Sequence, residues 1–291
     1  MKELKKHLSL SEQVDLLISR GLVVRDKQAA MRVLSNINYY RFTGYLHGFK
    51  VKPTGRYRDG TTFEQIHSLY RFDQQLTRIL MYALEDIEET FKTRFSYTLT
   101  GNFPDEPLIY LQPKIYRNGD DFTRFQTYFY REVENNRKLP FIKHHIEQYG
   151  GQLPMWVAVE IMTMGNLSAL YKNLQAPFQK ELAATYQTGV NQLSSWIQNM
   201  TFTRNHLAHY MRVYDFNFGR TPVQCKKHHR YTVTTGRIFD QIYVMSFMYS
   251  DDREWNNFIL PELDKLLARY DVFVKPEALG FPTNWKEILA K

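Results

Sequence analysis

Apolar residues with helical spacing run without interruption from Phe63 to Phe95, and this stretch constrains the fold more than any other. Leucine, isoleucine, alanine and phenylalanine recur there at intervals of three and four, and the next proline is Pro104. Such spacing places the apolar side chains on one face of a long α-helix. Because regular alternation of apolar and polar residues is nearly absent from the chain, we predict an all-α fold, a bundle of helices.

Shorter amphipathic segments precede the long helix. Ser9 and Glu12 have the spacing of a capping box and predict a first helix that ends at Gly21. Asp26 is placed to cap a second helix, which leads into an aromatic segment at 37–49. Two small helices and a cluster of aromatic residues are therefore expected at the start of the chain.

The stretch 51–62 holds a proline, two glycines and several charged residues, so we predict an exposed connection there. This connection divides the chain into a small helical N-terminal region, 1–60, and a larger helical domain, 61–291. Periodicity predicts further helices in the larger domain at roughly 120–149, 155–174, 191–214, 236–249 and 261–270.

The composition fits a folded chain with a polyanionic partner. Hydrophobic residues make up 43% of the sequence, and 38 Lys and Arg exceed 30 Asp and Glu to give a net charge of +8. RNA, DNA and an acidic membrane surface all match that charge. The single cysteine, Cys225, excludes an internal disulfide and fits a reducing compartment. Since no signal peptide or membrane-spanning run is recognisable, we expect a cytoplasmic protein. For the same reason we expect its polyanionic partner to be a nucleic acid and not a membrane.

The helix predicted at 191–214 carries the candidate site. Arg204 falls within the apolar stripe of this helix, where a charged side chain is unexpected and suggests a specific role. Asn205, His209 and Arg212 follow at spacings of four and three, so on a continuous helix they share a second, polar face. Two guanidinium groups, an imidazole and an amide are therefore predicted within a few helical turns.

These groups suit the cleavage of RNA by its own 2′-hydroxyl. Histidine titrates near neutrality, so His209 is the candidate general acid or base, and Asn205 is the candidate for orienting its imidazole. Arginine presents a planar, permanently charged fork, so Arg204 and Arg212 are the candidate phosphate ligands. The reaction requires no metal and no cofactor. DNA lacks the hydroxyl group on which it depends.

The spacing of arginine and histidine is not specific by itself. An arginine followed by a histidine after four to six residues occurs three times in the chain, at 41–47, 137–144 and 204–209. The third pair is distinguished by the asparagine and the second arginine beside it. A structural alternative remains, in which Arg204 pairs with a buried carboxylate such as Glu88 and His209 is an ordinary surface residue.

The segment around the third pair resembles a signature of abortive-infection proteins of the AbiD and AbiF type. That signature is matched by Trp196, Arg204, Asn205, Ala208, His209 and Arg212. The chain departs from it at Tyr210 and Asp215, where the family usually has histidine and asparagine. Other segments that resemble the family are RGL, INYYRFTGY, LYRFDQQL, IEETFKTR, LPMWVAVEIMTMGNLS and LGFPTNW, which begin at positions 20, 37, 69, 87, 153 and 279.

The resemblance implies a HEPN domain, a helical bundle that dimerises so that the Arg-His motifs of two protomers form one composite ribonuclease site without metal. The all-α fold is then a HEPN-type helical bundle with a small helical N-terminal extension. The resemblance also implies a toxin-like endoribonuclease that acts in defence against phage and is held in check by, or assembled with, a small noncoding RNA. Glu88 is similar to the acidic residue that such proteins carry opposite the Arg-His helix, which implies a role in orienting Arg204.

Aromatic and basic residues at the start of the chain are candidates for weaker RNA contacts. Arg41 is a candidate phosphate ligand, and Tyr39 and Tyr40 are candidates for stacking on bases. Aromatic residues at this density also pack in cores, so both interpretations stay open.

A basic run near position 228 is a second candidate RNA contact. Lys226, Lys227 and Arg230 either bind phosphates or belong to a solvated loop. The neighbouring Cys225, His228 and His229 do not predict a zinc site, because the chain has one thiol and no second ligand pair at suitable spacing.

Two alternatives to a nuclease remain. A HEPN-fold protein can hold RNA or a protein partner without cleaving it, and an Arg-His pair can simply tie helices together. The presence of Arg204, Asn205 and His209 together favours the nuclease.

Overall fold

We describe the protein from a computed structural model, which describes residues 4, 6–224 and 230–291. Throughout these residues the chain is helical, and the only β-type pairings among them are isolated bridges such as that between Val23 and Thr62. The prediction of an all-α helical bundle is confirmed. Within the same residues no helix is long and apolar enough to span a membrane.

The α-helices are joined by short turns and by a few longer segments, such as 45–62 and 103–118. They are α1 (Leu10–Ser19), α2 (Lys27–Leu34), α3 (Tyr39–Gly44), α4 (Phe63–Asn102), α5 (Gly119–Asn135), α6 (Pro140–Tyr149), α7 (Met155–Ile161), α8 (Met164–Asn173), α9 (Ala176–Ala184), α10 (Val190–Ala208), α11 (Ile238–Met248), α12 (Asp252–Glu254), α13 (Leu260–Arg269) and α14 (Trp285–Leu289). A single π-helical turn, Trp255–Ile259, joins α12 to α13.

The long helix α4 lies at the centre of the bundle, as its sequence predicts. It begins after Thr62, whose hydroxyl accepts a hydrogen bond from the backbone N–H of Gln65. Its apolar stripe is buried along the whole length, from Phe63 to Leu99, and α7, α9, α10, α11 and α13 all pack against it. The residues that bury this stripe therefore also place α10, the helix of the candidate site, against α4.

The N-terminal region packs on the first turns of α4. The capping box of Ser9 and Glu12 is present at the start of α1, as predicted, and the Asp26 side chain caps α2. Phe42 of α3 stacks on Phe63 with 4.6 Å between ring centroids. The buried residues of the N-terminal region belong to the same hydrophobic core as those of the later helices. Whether the regions 1–60 and 61–291 fold as separate units stays a prediction.

Two of the helices predicted from periodicity are each a pair of shorter helices. The first break follows Asn135, and Pro140 starts the next helix, α6, where its missing N–H costs no hydrogen bond. The second break lies at Met162 and Thr163, where the side chains of Thr163 and Asn166 form a capping box that starts α8. Because both pairs of helices keep apolar spacing, the periodicity alone did not reveal the breaks.

Candidate functional site

Helix α10 ends at Ala208, so the prediction of a helix continuing to 214 is wrong. The backbone N–H of Tyr210 donates to Leu207 O at 2.9 Å, and that of Met211 donates to His206 O at 3.1 Å. This is the Schellman pattern that closes a helix, and it requires the left-handed backbone that Tyr210 adopts, with φ of +54°. The chain turns away from the helix axis at that point.

Residues 209–215, here called the motif loop, therefore carry His209 and Arg212 outside the helix. The expectation that Asn205, His209 and Arg212 share one helical face is wrong, because only Asn205 lies within α10. The side chains of Asn205 and His209 are exposed. Neither forms a hydrogen bond with any residue that the structure describes, so the orienting role of Asn205 stays a prediction.

Arg204 lines a groove in which acidic and basic side chains are mixed. The groove has a volume of about 630 Å³, and its charged lining residues are Arg78, Glu85, Glu88, Glu89, Lys92, Glu160 and Arg204. Arg204 Nε lies 3.6 Å from Glu88 Oε2, and Lys92 Nζ lies 3.5 Å from the other oxygen of that carboxylate. The contact expected between Arg204 and Glu88 is thus present, with the arginine side chain 44% exposed. His209 does not line the groove.

The aromatic segment near the start of the chain contacts the motif loop. The Arg41 guanidinium lies over the Tyr210 ring, 5.7 Å from its centroid. The residue after His47, Gly48, lies beside the Asp215 side chain of the same loop. Burial lowers the pKa of the His47 imidazole, and the charges of Lys50 and Arg212 lower it further. Two of the three arginine–histidine pairs in the sequence are therefore neighbours in space, which the sequence did not indicate.

The two tyrosines predicted to contact RNA have different environments. Tyr40 is 87% exposed and free to stack on a base. Tyr39 packs against the hydrophobic core, and burial raises the pKa of its hydroxyl. Tyr40 and Arg41 thus remain the accessible candidates of this segment, and a binding role for Tyr39 would need the helix to move.

The motif loop is fastened to the core by His206 and Asp73. The His206 Nε2–H donates to Arg212 O at 2.8 Å, and burial lowers the pKa of this imidazole, which packs on Phe216 with ring centroids 4.5 Å apart. On the other side, Asp73 of α4 accepts hydrogen bonds from the backbone N–H groups of Val213 and Tyr214. His206 itself is buried.

Asp73 is a residue that sequence reasoning did not single out. Its side chain is 3% exposed, and burial raises the pKa of its carboxyl to about 6 against the effect of its hydrogen bonds. The available signal was its position in the apolar stripe of α4, where a carboxylate requires a partner.

The basic run near 228 lies largely outside the described residues. This holds for Lys226, Lys227, Cys225, His228 and His229, so the predictions for them stay predictions. Arg230 is described, and its Nη1 donates to Ala290 O at 2.6 Å. The described residues contain no group of three or more histidine, cysteine, aspartate or glutamate side chains that could together hold a metal ion.

Comparison with known proteins gives one match. A family model described as Abi-like protein matches residues 32–215, a span that begins in α2 and ends with the motif loop. No curated protein and no solved structure matches the chain significantly.

Proposed function

The chain belongs to the Abi-like protein family, and on that premise we propose that it is an abortive-infection toxin that cleaves RNA without a metal ion. The family supports a role in abortive infection. The cleavage itself is supported by one observation above the others: an exposed histidine, His209, stands at the end of a helix that also carries Arg204 and Asn205.

The proposed reaction is attack of a ribose 2′-oxygen on the adjacent phosphorus. His209 takes the proton of the 2′-hydroxyl, the bond from phosphorus to the 5′-oxygen breaks, and a second imidazole gives that oxygen a proton. The products are a 2′,3′-cyclic phosphate and a 5′-hydroxyl. Arg204 and Arg212 bind the phosphate oxygens, where their charge acts most strongly as negative charge develops.

A second copy of the chain would supply what one copy lacks. In one copy Arg204 is paired with Glu88, and the groove around it does not include His209. A homodimer would bring two motif loops together and thus provide two imidazoles, one as base and one as acid. Met211 and Tyr210, which are 53% and 67% exposed, offer apolar surface on the same loop for such a contact.

The RNA partner would be held by basic and aromatic groups around the motif loop. Arg41 and Tyr40 lie on the exposed side of α3, and Arg41 already touches Tyr210. With a net charge of +8, the chain is suited to a polyanion. The partners we propose are an RNA substrate and a small noncoding RNA that restrains the toxin.

A non-catalytic module that binds RNA or protein is the second candidate function. It is favoured by the charges that line the groove, because four carboxylates exceed three cationic side chains there and would oppose the approach of a phosphate to Arg204. In that case Arg204 would serve to balance this charge and His209 would have no chemical task.

Cleavage of a labelled single-stranded RNA in EDTA separates these functions. We expect the wild type to cut, and the variants Arg204→Ala and His209→Ala to retain their circular dichroism spectra while losing at least about a hundredfold in rate. The loss is that of a general base for His209 and of charge stabilisation on the phosphate for Arg204. Arg137→Ala and His144→Ala are matched controls, because they remove an exposed arginine–histidine pair from another part of the chain.

The outcomes are distinct. Cleavage by the wild type and both controls, with loss in both site variants, supports the nuclease. RNA binding without cleavage by the wild type, with equal binding by the site variants, would establish the binding module instead.

A further inference from the structure

We infer that Asp73 is a positioning residue that holds the motif loop in the conformation presenting His209 and Arg212. This inference rests on the proposed function for its consequence in catalysis, while the holding of the loop can be measured independently. Asp73 is buried in the core and cannot contact RNA. Because it binds the backbone N–H of Val213, 140 residues later in the sequence, it acts on the site through the loop backbone.

The carboxylate is the common acceptor of three donors from two segments. Asp73 Oδ2 accepts from the Val213 N–H at 2.7 Å and from the Tyr45 hydroxyl at 2.8 Å. The Tyr214 N–H donates to Asp73 Oδ1 at 2.9 Å and also reaches Oδ2 at 3.1 Å. The central helix, the aromatic segment near the start of the chain and the motif loop thus meet at one buried side chain.

An amide in the same place cannot satisfy the same donors. If the oxygen of an asparagine takes the place of Oδ2, the Tyr214 N–H loses its bond of 2.9 Å, keeps only the longer one of 3.1 Å and faces the NH₂ group. If the amide is turned over, the buried Val213 N–H loses its acceptor, which is the costly case for a hydrogen bond. The ionised carboxylate is therefore specifically matched to the two successive amides of the loop.

The loop needs such an anchor because its own conformation is unfavourable. Tyr210 and Asp215 both adopt positive φ, at +54° and +52°, a region that residues with a side chain enter at a cost in free energy. The Asp73 bonds lie between these two positions, and the His206 bond to Arg212 O lies beside them. Loss of the Asp73 anchor would let the segment from 209 to 214 relax and would displace the His209 imidazole.

Asp73→Asn tests the inference with two measurements on the full chain. The first is hydrogen exchange of peptides that span the motif loop, which does not depend on RNA. The second is steady-state cleavage of RNA. We expect exchange in the loop to be faster by about tenfold or more and kcat to fall by a similar factor, as for one buried hydrogen bond left unmade, while KM changes less because the RNA-binding side chains stay in place.

Asp240→Asn is the matched control. Asp240 is equally buried, at 0% exposure, and accepts from a tyrosine hydroxyl and a backbone N–H, those of Tyr231 and Gly236, at 2.7 Å each. It carries no bond to the motif loop, so its substitution should leave loop exchange and kcat unchanged. Tyr45→Phe is the graded variant: it removes one donor, leaves both backbone bonds, and should have a smaller effect than Asp73→Asn.

Each outcome decides the inference. Faster loop exchange with reduced kcat in Asp73→Asn, absent from Asp240→Asn, supports it. Wild-type exchange in the loop, or wild-type kcat despite faster exchange, overturns it. If the wild type does not cleave RNA, the proposed function fails and loop exchange alone decides whether Asp73 holds the loop. If Asp73→Asn does not fold, Asp73→Ser takes its place, because a single short hydroxyl cannot accept from both loop amides, and wild-type loop exchange in that variant overturns the inference.

Discussion

The free energy of unfolding should depend on pH through Asp73, with a sign opposite to that of an ordinary carboxylate. Burial raises the pKa of this group from 3.8 to about 6 in the folded chain. Between these values the folded chain keeps a proton that the unfolded chain has lost, so stability falls as pH rises. Since one pKa unit corresponds to about 1.4 kcal/mol, the total loss is about 3 kcal/mol.

Urea unfolding of the wild type and of Asp73→Asn at pH values between 4 and 8 measures this loss. The other titrating groups are common to both proteins, so their effects cancel in the difference. We expect the wild type to lose about 2–2.5 kcal/mol relative to the variant as pH rises from 4 to 7, because part of the total is already lost at pH 4, and the difference to be constant above that. A difference that is independent of pH, or one that grows in the opposite direction, would refute the reasoning.

The same titration should act on the proposed activity in the opposite sense. Above the pKa of about 6 the ionised carboxylate accepts from both loop amides, whereas a protonated oxygen cannot accept equally well. Relative to Asp73→Asn, the wild type should therefore gain stability and lose activity as pH falls below 6. Stability and activity that rise and fall together across this range would contradict the role of the ionised form.

Three further predictions concern the core, the groove and the RNA partner. Trp196→Ala should cost about 3–5 kcal/mol in urea unfolding, because the side chain is 1% exposed and its Nε1–H donates to Val223 O; a cost under 1 kcal/mol would contradict this packing. Glu88→Gln should change the free energy of unfolding by less than about 1 kcal/mol, since its partner Arg204 is half exposed, yet it should lower kcat if the carboxylate orients that arginine. RNA affinity should fall steeply with salt, with a slope of about −0.7 per phosphate contacted, and an affinity independent of salt would contradict a basic binding surface.

The sequence predicted the helices best where local signals were complete. Ser9 with Glu12 and Asp26 mark the starts of α1 and α2, and the stripe from Phe63 onward marks α4, because capping and periodicity are local properties. The end of α10 was missed for a physical reason. A helix that closes with a left-handed residue usually has glycine or asparagine there, and this chain has Tyr210.

The arrangement around the motif could be predicted only in part. The proximity of Arg204 and Glu88 was expected both from a structural ion pair and from the family resemblance, and it is present in the structure. The bonds from Val213 and Tyr214 to Asp73 join residues about 140 positions apart, and no local sequence pattern indicates such a contact. They also depend on how the chain turns at the end of α10. The contact between Arg41 and Tyr210 is of the same kind.

The most direct test of a metal-independent ribonuclease at His209 is the chemistry of its products. A labelled RNA and the same RNA with a 2′-deoxy nucleotide at the cleaved position are incubated with the wild type and with His209→Ala in EDTA, and the product ends are identified. We predict a 2′,3′-cyclic phosphate and a 5′-hydroxyl from the wild type, no cut at the 2′-deoxy position, and no cleavage by the folded variant. A 5′-phosphate product, a cut at the 2′-deoxy position, or undiminished cleavage by His209→Ala would contradict the account.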